Sequence, residues 1–128
     1  MSTVAESRPL AGRRLLVVED EMFVAMLIED ILTDLGCEVV GPAASVAEAL
    51  RLTAGSAPLD GAVLDVNLGA ETVYPVADAL QRAQVPYVFV TGYSAASLNE
   101  AHRGQPLIQK PFNPDSFAAE LAQGLAQG

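Results

Sequence analysis

Five side chains that could take part in chemistry each close or follow a short apolar run of the sequence. They are Glu19, Asp20, Asp65, Thr91 and Lys110. A short, continuous apolar run is typical of a strand that is buried on both faces of a parallel sheet. Because ligands bind beyond the carboxyl ends of such strands, we expect these five side chains to meet at one edge of the sheet.

The three carboxylates of this group would repel one another if they stood together. Two like charges ~4 Å apart cost about 4 kcal/mol at an effective dielectric near 20. Such a group favours a hard divalent cation, and oxygen-only ligands suit Mg²⁺. Lys110, the only lysine of the chain, can hold a phosphoryl oxygen as a point charge, and the Thr91 hydroxyl can donate to another. These parts suit phosphoryl transfer to a carboxylate, with Asp65 as the acceptor.

Each residue also has a simpler interpretation. Acidic residues are common in the first turn of a helix, and Thr91 can be an ordinary β-branched strand residue. Asn67 can be a turn former, and Tyr93 can be a half-buried surface aromatic. The simpler interpretation of the acidic pair loses weight because Asp65 and Lys110 end other strands in the same register.

The elements that would hold these groups alternate along the chain. The apolar runs predict five strands, at residues 15–18, 37–40, 61–66, 85–91 and 107–109. Gly41-Pro42 is expected to end the second strand. A helical stretch follows each strand after a short loop. The pattern therefore predicts an α/β fold, a doubly wound, five-stranded parallel sheet with helices on both faces.

The helices are predicted from their apolar spacing. One face of the first helix carries Val24, Leu27, Ile28, Ile31 and Leu35. In the last helix, a core stripe consists of Phe117, Leu121 and Leu125. Residues 94–102 can form only a short fourth helix before Gly104, and His102 is expected to be solvated.

Composition narrows the class of protein. The 128 residues suit a single domain, and a hydrophobic fraction of 51% is enough for a core. A net charge of −9 argues against nucleic acid or an anionic membrane as partner. The single cysteine suits a reducing cytoplasm, and no apolar run is long enough to span a membrane. Residues 1–12 are predicted to be a flexible tail and residues 13–128 the domain, with no room for an output domain after the last helix.

From about Arg13 to Leu125 the sequence resembles a response-regulator receiver domain. The matching residues are Glu19-Asp20, Asp65, Thr91 and Lys110-Pro111-Phe112. The resemblance implies a flavodoxin-like strand order of 2-1-3-4-5. It also implies that Asp65 accepts a phosphoryl group from a histidine kinase or a phosphotransfer protein.

The same resemblance implies roles for the neighbouring residues. Asp20, Asp65 and the backbone carbonyl of Asn67 would bind Mg²⁺, with Glu19 acting through water. Receivers that resemble this chain have a cis peptide bond before the proline that follows the lysine. We therefore expect a cis bond between Lys110 and Pro111, which turns the lysine back over the acidic edge.

The stretch from Pro86 to Tyr93 resembles a stand-alone subgroup of receivers, named for its Phe-Ala-Thr-Gly-(Gly/Tyr) run. Val90 stands at the position of the alanine. The subgroup is associated with stress signalling in bacteria. Two departures from most receivers bear on switching: Leu107 stands where a switch aromatic is common, and the segment between Thr91 and the lysine is short. Tyr93 is the substitute that we expect.

Three classes of function agree with these residues. The first is a phosphorylatable switch whose downstream target binds the face made by the fourth helix, fifth strand and fifth helix. The second is a phosphate shuttle or sink in a phosphorelay. The third, a Mg²⁺-dependent aspartyl-phosphate phosphatase, would need a second Asp where Asn67 stands, and no substrate-capping insert is present. The first class is favoured, so we expect a signalling domain that catalyses only its own phosphorylation and dephosphorylation.

Overall fold

A five-stranded parallel sheet forms the centre of the protein. The computed structural model describes residues 10–55 and 57–127. The strands of the main sheet are β1 (Arg14–Val18), β2 (Glu38–Ala43), β3 (Gly61–Asp65), β6 (Tyr87–Thr91) and β7 (Leu107–Gln109). Their spatial order is β2-β1-β3-β6-β7, which matches the predicted order 2-1-3-4-5 when the main strands are counted in sequence.

Helices cover both faces of the sheet, as the alternation of elements predicts. The helices are α1 (Met22–Asp34), α2 (Val46–Thr53), α3 (Tyr74–Arg82) and α4 (Pro114–Gln127). One core cluster lies between the sheet and α2 and α3, and a second lies between the sheet and α1 and α4. The stripe of Phe117, Leu121 and Leu125 is buried in the second cluster, as predicted.

The second strand differs from its prediction. It continues through Gly41 and Pro42 to Ala43, and its register with β1 shifts between Leu16 and Val18. The φ angle of Gly41 is +99°, a backbone conformation that residues with a side chain rarely adopt. Glycine therefore allows an irregular turn of backbone inside the strand, where the sequence alone favours an end to it.

The predicted fourth helix is replaced by two single 3₁₀ turns. They span Ala95–Ser97 and Glu100–His102 within the connection between β6 and β7, residues 92–106. The connection is rich in small and polar residues, which supply too few apolar contacts to support a longer helix. A two-residue antiparallel pair, β4 (Asn67–Leu68) with β5 (Glu71–Thr72), also lies after β3 and was not predicted.

Three further residues differ from expectation. Within the predicted tail, residues 1–9 lie outside the described part of the chain, but Leu10 is buried against the α1–α4 core cluster. Leu27, predicted to face inward, is 39% exposed because the buried stripe of α1 runs through Ile28 and Ile31. His102, predicted to be solvated, is buried on the face of the sheet that α3 covers, where Asp78 of that helix is a hydrogen-bond partner for its ring.

Candidate functional site

Strand register brings the predicted site residues to one edge of the sheet. Val18 pairs with Leu64, so Glu19 and Asp65 are the next residues on adjacent strands. Thr91 pairs with Gln109, and the Lys110 backbone N–H donates to the Thr91 carbonyl at 2.8 Å. The edge therefore combines carboxylates from β1 and β3, a hydroxyl from β6 and an amine from the end of β7.

Lys110 lies among three carboxylates at this edge. Its Nζ is 3.2 Å from Glu19 Oε1, 3.4 Å from Asp65 Oδ2 and 3.4 Å from Glu21 Oε1. The lysine side chain is 20% exposed, and the Asp65 side chain is 6% exposed. The Lys110–Pro111 peptide bond is cis. One half-buried cation thus faces an excess of negative charge, which leaves the edge able to accept a further cation.

Burial changes the protonation of these groups. Burial and the nearness of Asp65 raise the pKa of Glu19 to about 8. Burial lowers the pKa of Lys110, but the Asp65 and Glu19 carboxylates outweigh it and hold that pKa above its ordinary value. Lys110 is therefore a stable positive charge at neutral pH, whereas Glu19 keeps a proton unless another cation offsets its charge.

The carboxylate cluster of the structure shares Glu19 and Asp65 with the predicted metal ligands and adds Glu21. Carboxylate oxygens of Glu19, Glu21 and Asp65 lie within 4.8 Å of one another. Asp20 is exposed, and its Oδ2 lies 3.9 Å from the position that a Cβ would take on Gly69. Glu21 was missed by the sequence reasoning. Its position two residues after Glu19, in the same acidic run, is the sequence signal that could have identified it. In the structure the Glu21 backbone N–H donates to Glu19 Oε2 at 3.1 Å, which keeps the two residues close together.

The donor set fits a hard divalent cation. All of its members are carboxylate oxygens, which suit Mg²⁺. Glu19 Oε1 is buried and makes no hydrogen bond, although Lys110 Nζ lies close to it. Besides its ion pair with Lys110, this buried oxygen can therefore bind a further ion or a water molecule. Magnesium is therefore compatible with the residues present at this edge.

An open cleft of about 650 Å³ lies above these groups, and its lining includes Asp65, Asn67, Thr91, Tyr93 and Lys110. Thr91 is 2% exposed, and its Oγ1 accepts a hydrogen bond from the Tyr93 backbone N–H at 3.2 Å. Asn67 is exposed, and its backbone N–H lies 3.4 Å from Asp65 Oδ1. Tyr93 is 62% exposed rather than half-buried. The acceptor, the hydroxyl and the lysine therefore all reach a space that is open to an incoming group.

A patch of exposed apolar residues adjoins the cleft through Lys110. It consists of Met22, Phe23, Met26 and Leu27 on α1, which are 72%, 84%, 52% and 39% exposed. A mainly apolar hollow of about 400 Å³ lies between α1 and the residues after β7, lined by Val24, Leu27, Lys110, Pro111 and Phe112. We call these residues together the α1 patch. Large exposed apolar patches mark sites of interaction with other molecules.

Comparison with known proteins identifies the family. The sequence matches the response regulator receiver domain over residues 15–122. It is 33% identical over 115 residues to the phyllosphere-induced regulator PhyR of Methylorubrum extorquens, covering 87% of this chain but only 43% of PhyR. It is 28% identical to the chemotaxis protein CheY of Thermotoga maritima, covering 86% of this chain and 95% of CheY.

Solved structures agree with this family. The solution structure of SdrG from Sphingomonas melonis Fr1 is 42% identical, with a TM-score of 0.76, and the match covers 90% of this chain and 97% of SdrG. No helix in the described ranges is long and apolar enough to span a membrane. The match over most of the chain, together with the strand order and the acidic edge, shows that this protein belongs to the family of response regulator receiver domains.

Proposed function

We propose that this protein is a response regulator that accepts a phosphoryl group on Asp65 from a histidine kinase or a phosphotransfer protein. The observation that carries the proposal is the geometry of Lys110, whose Nζ lies 3.4 Å from Asp65 Oδ2 while Thr91 lies at the end of the neighbouring strand. The Asp65 side chain reaches an open cleft and has a cation and a hydroxyl beside it, as a nucleophile for phosphoryl transfer requires.

The chemical step is an exchange of bonds at phosphorus. A carboxylate oxygen of Asp65 attacks the phosphorus of a phosphohistidine, a P–O bond forms, and the P–N bond breaks with its electron pair left on the imidazole. The new phosphoryl oxygens are anionic. Lys110 can pair with one of them as a point charge, and the Thr91 hydroxyl can donate a hydrogen bond to another.

The acidic edge would hold Mg²⁺ during this reaction. Glu19, Glu21 and Asp65 are the carboxylates that stand close enough to share an ion, and Asp20 and the Asn67 carbonyl remain candidate ligands from the resemblance to receivers. When bound, the ion supplies positive charge that offsets the repulsion between the carboxylates and the phosphoryl group.

The α1 patch is the surface that we assign to the phosphodonor protein. It adjoins Lys110 and so lies at the rim of the cleft that holds Asp65. Its large apolar side chains, including an aromatic, are of the kind that form the buried centre of a protein interface. A donor bound there would hold its phosphohistidine close to the acceptor.

The proposed output is a change in protein binding at the face made by the β6–β7 connection, β7 and α4, which replaces the predicted helix 4–strand 5–helix 5 face. Tyr93 is the exposed aromatic of this connection, and its backbone N–H donates a hydrogen bond to the Thr91 hydroxyl oxygen. A movement of Thr91 toward the phosphoryl oxygens would displace Tyr93. A sink would need no such movement, so dependence of partner binding on phosphorylation separates the two functions.

A role in stress signalling is also proposed. The protein is 31% identical to the PhyR stress response regulator of a solved structure, with a TM-score of 0.78. The match covers only 48% of that chain, so the receiver part alone supports the suggestion. The resemblance of residues 86–93 to the Phe-Ala-Thr-Gly-(Gly/Tyr) subgroup points in the same direction.

The decisive test is phosphotransfer from a panel of histidine kinases of the host, with and without Mg²⁺. The full chain should be labelled only with Mg²⁺ present, and Asp65→Asn should abolish labelling because an amide cannot form the acyl phosphate. Asp115→Asn, an exposed carboxylate at the start of α4, is the matched control and should be labelled normally. Normal labelling of Asp65→Asn, or labelling in excess chelator, would overturn the assignment.

A further inference from the structure

The single histidine of the chain belongs to a buried network outside the acidic edge. The His102 side chain is 4% exposed. Its Nδ1 lies 2.5 Å from Asn99 Oδ1, and its Nε2 lies 2.9 Å from Asp78 Oδ1. Its ring stacks on Tyr74 with the ring centroids 4.7 Å apart. Since Asp78 and Tyr74 belong to α3, the network fastens the β6–β7 connection to that helix.

Other contacts of the connection to α3 and β6 depend on the same residues. The Asn99 backbone N–H donates to the Tyr74 hydroxyl at 3.0 Å, and the rings of His102 and Phe89 of β6 meet edge to face. Leu98 is the buried apolar residue of the connection. The two 3₁₀ turns make only short-range backbone bonds, so these side chains determine how firmly the connection is held.

Both hydrogen-bond partners of the ring are oxygens. The Asp78 carboxylate can only accept when it is ionised. The Asn99 amide oxygen faces the ring because the same Oδ1 also accepts from the His102 backbone N–H at 3.2 Å. A neutral imidazole carries one N–H donor, whereas the imidazolium carries two. Both bonds therefore form together only when both ring nitrogens are protonated.

Few other ionisable groups face the ring. Asp78, 51% exposed, is the carboxylate that α3 presents to it. From β6, Tyr87 lies on the same side of the sheet; its hydroxyl is buried without a hydrogen bond, and burial and Asp78 raise its pKa. Within the connection, Glu100 is exposed, and the Arg103 Nε donates to the Leu98 carbonyl. Asp78 is thus a charge of opposite sign within hydrogen-bond distance of a protonated ring.

We propose that Asp78, His102 and Asn99 form a proton-dependent latch. With both ring nitrogens protonated, the latch holds residues 94–104 against α3. Loss of one proton removes one of its two bonds and loosens the connection that follows Thr91. An unperturbed imidazole changes charge between about pH 5 and 8. The latch depends on the fold alone, and it would exist even if Asp65 accepted no phosphoryl group.

The test is nuclear magnetic resonance on the full chain without a phosphoryl donor. His102 is the only histidine, so the imidazole nitrogen signals report its protonation without overlap. Amide protection factors of Asn99 and His102 report how firmly the connection is held. At the acidic end of the titration both ring nitrogens should carry protons. As the pH rises, the protection of these amides should fall in step with loss of the ring proton.

Two variants and a control decide between a latch and ordinary packing. His102→Phe keeps a ring to stack on Tyr74 but removes both hydrogen bonds, so protection should be low at every pH. Asp78→Asn keeps an acceptor without its charge, so the ring should lose its proton at a lower pH. Asp30→Asn, an exposed carboxylate of α1 on the other face of the sheet, should behave as wild type.

Two outcomes would contradict the latch: unchanged amide protection when the ring is neutral, or wild-type titration of the ring in Asp78→Asn. If His102→Phe does not fold, Asp78→Asn decides the question alone, because it preserves the size and shape of the side chain. Either failure leaves the assignment of Asp65 untouched, since no measurement here involves phosphorylation.

Discussion

Glu19 is the residue of the acidic edge whose charge depends most on its surroundings. Burial and the nearness of Asp65 raise its pKa from 4.5 to about 8. Between these two pH values the folded, metal-free protein holds a proton on Glu19 that the unfolded chain releases. The folded state thus binds more protons than the unfolded state, so the stability contributed by this group falls as the pH rises through the window.

Glu19→Gln should therefore reduce the pH dependence of stability in the metal-free protein, because an amide stays neutral at every pH. Between about pH 5 and 8, the free energy of unfolding of wild type should fall relative to Glu19→Gln by an amount on the order of a few kcal/mol. Urea unfolding in excess chelator at several pH values measures this difference. Glu120→Gln, an exposed residue of α4, should keep the wild-type slope. Equal slopes for wild type and Glu19→Gln would show that Glu19 ionises freely in the folded protein.

Individual site residues differed in how well sequence could predict them. Asp65 and Lys110 were predictable because each ends an apolar strand, and parallel strands bring their carboxyl ends together. The choice between Asp20 and Glu21 was not predictable in the same way. Both follow β1 directly, and which carboxylate reaches the cluster depends on side-chain direction and on the backbone turn into α1. The burial of His102 depends on Asp78, which is distant in sequence.

At the scale of elements, the five main strands follow from local apolar runs, and their positions agree with the structure to within a few residues. Two elements that were not predicted from the sequence depend on contacts between distant segments. The β4–β5 pair is anchored by Leu68 and Val73, which are buried against the α2–α3 core. In the same way, the second 3₁₀ turn and the Asn99 that precedes it are held by Tyr74 and Asp78 of α3 rather than by helix propensity.

The β6–β7 connection is the element in which we expect phosphorylation to be read by a partner. Tyr93→Ala should leave labelling of Asp65 intact, because in the described part of the chain no hydrogen bond or ion pair joins the Tyr93 side chain to Asp65. It should remove most of the change in partner affinity on phosphorylation. For an aromatic at the centre of an interface, the affinity for the activated form should fall by roughly tenfold or more. Binding of the isolated partner with and without beryllofluoride measures the effect.

Tyr93→Phe is the matched control for this experiment, since it keeps the ring and removes only the hydroxyl. It should retain most of the change in affinity. If Tyr93→Ala responds to beryllofluoride as fully as wild type, the connection does not report phosphorylation through this residue. A partner that binds both states equally would instead favour the phosphate sink, because a ligand shifts an equilibrium only by its differential affinity.

At the scale of the whole molecule, the cleft lies between two surfaces of different character. The α1 patch adjoins it on one side, where Met22, Phe23 and Met26 are exposed. The β6–β7 connection lies on the other side and presents Tyr93. The net charge of the protein is −9, so its electrostatic field repels acidic partners and does not steer them to the cleft. Donor and target can therefore bind different sides of the same cleft, with phosphorylation of Asp65 between them.

This division predicts that Phe23→Ser affects phosphorylation only when the donor is a protein. Phe23 is 84% exposed, so its loss should change the stability of the fold by less than about 0.5 kcal/mol. A large aromatic buried in an interface costs about 2 kcal/mol or more when it is truncated, which corresponds to a fall of roughly thirtyfold in kcat/KM for the phosphodonor protein. Acetyl phosphate, which needs no docking surface, should label the variant at the wild-type rate. Equal losses with both donors would place Phe23 in the chemistry of the cleft, and no loss with either would remove the α1 patch as the donor surface.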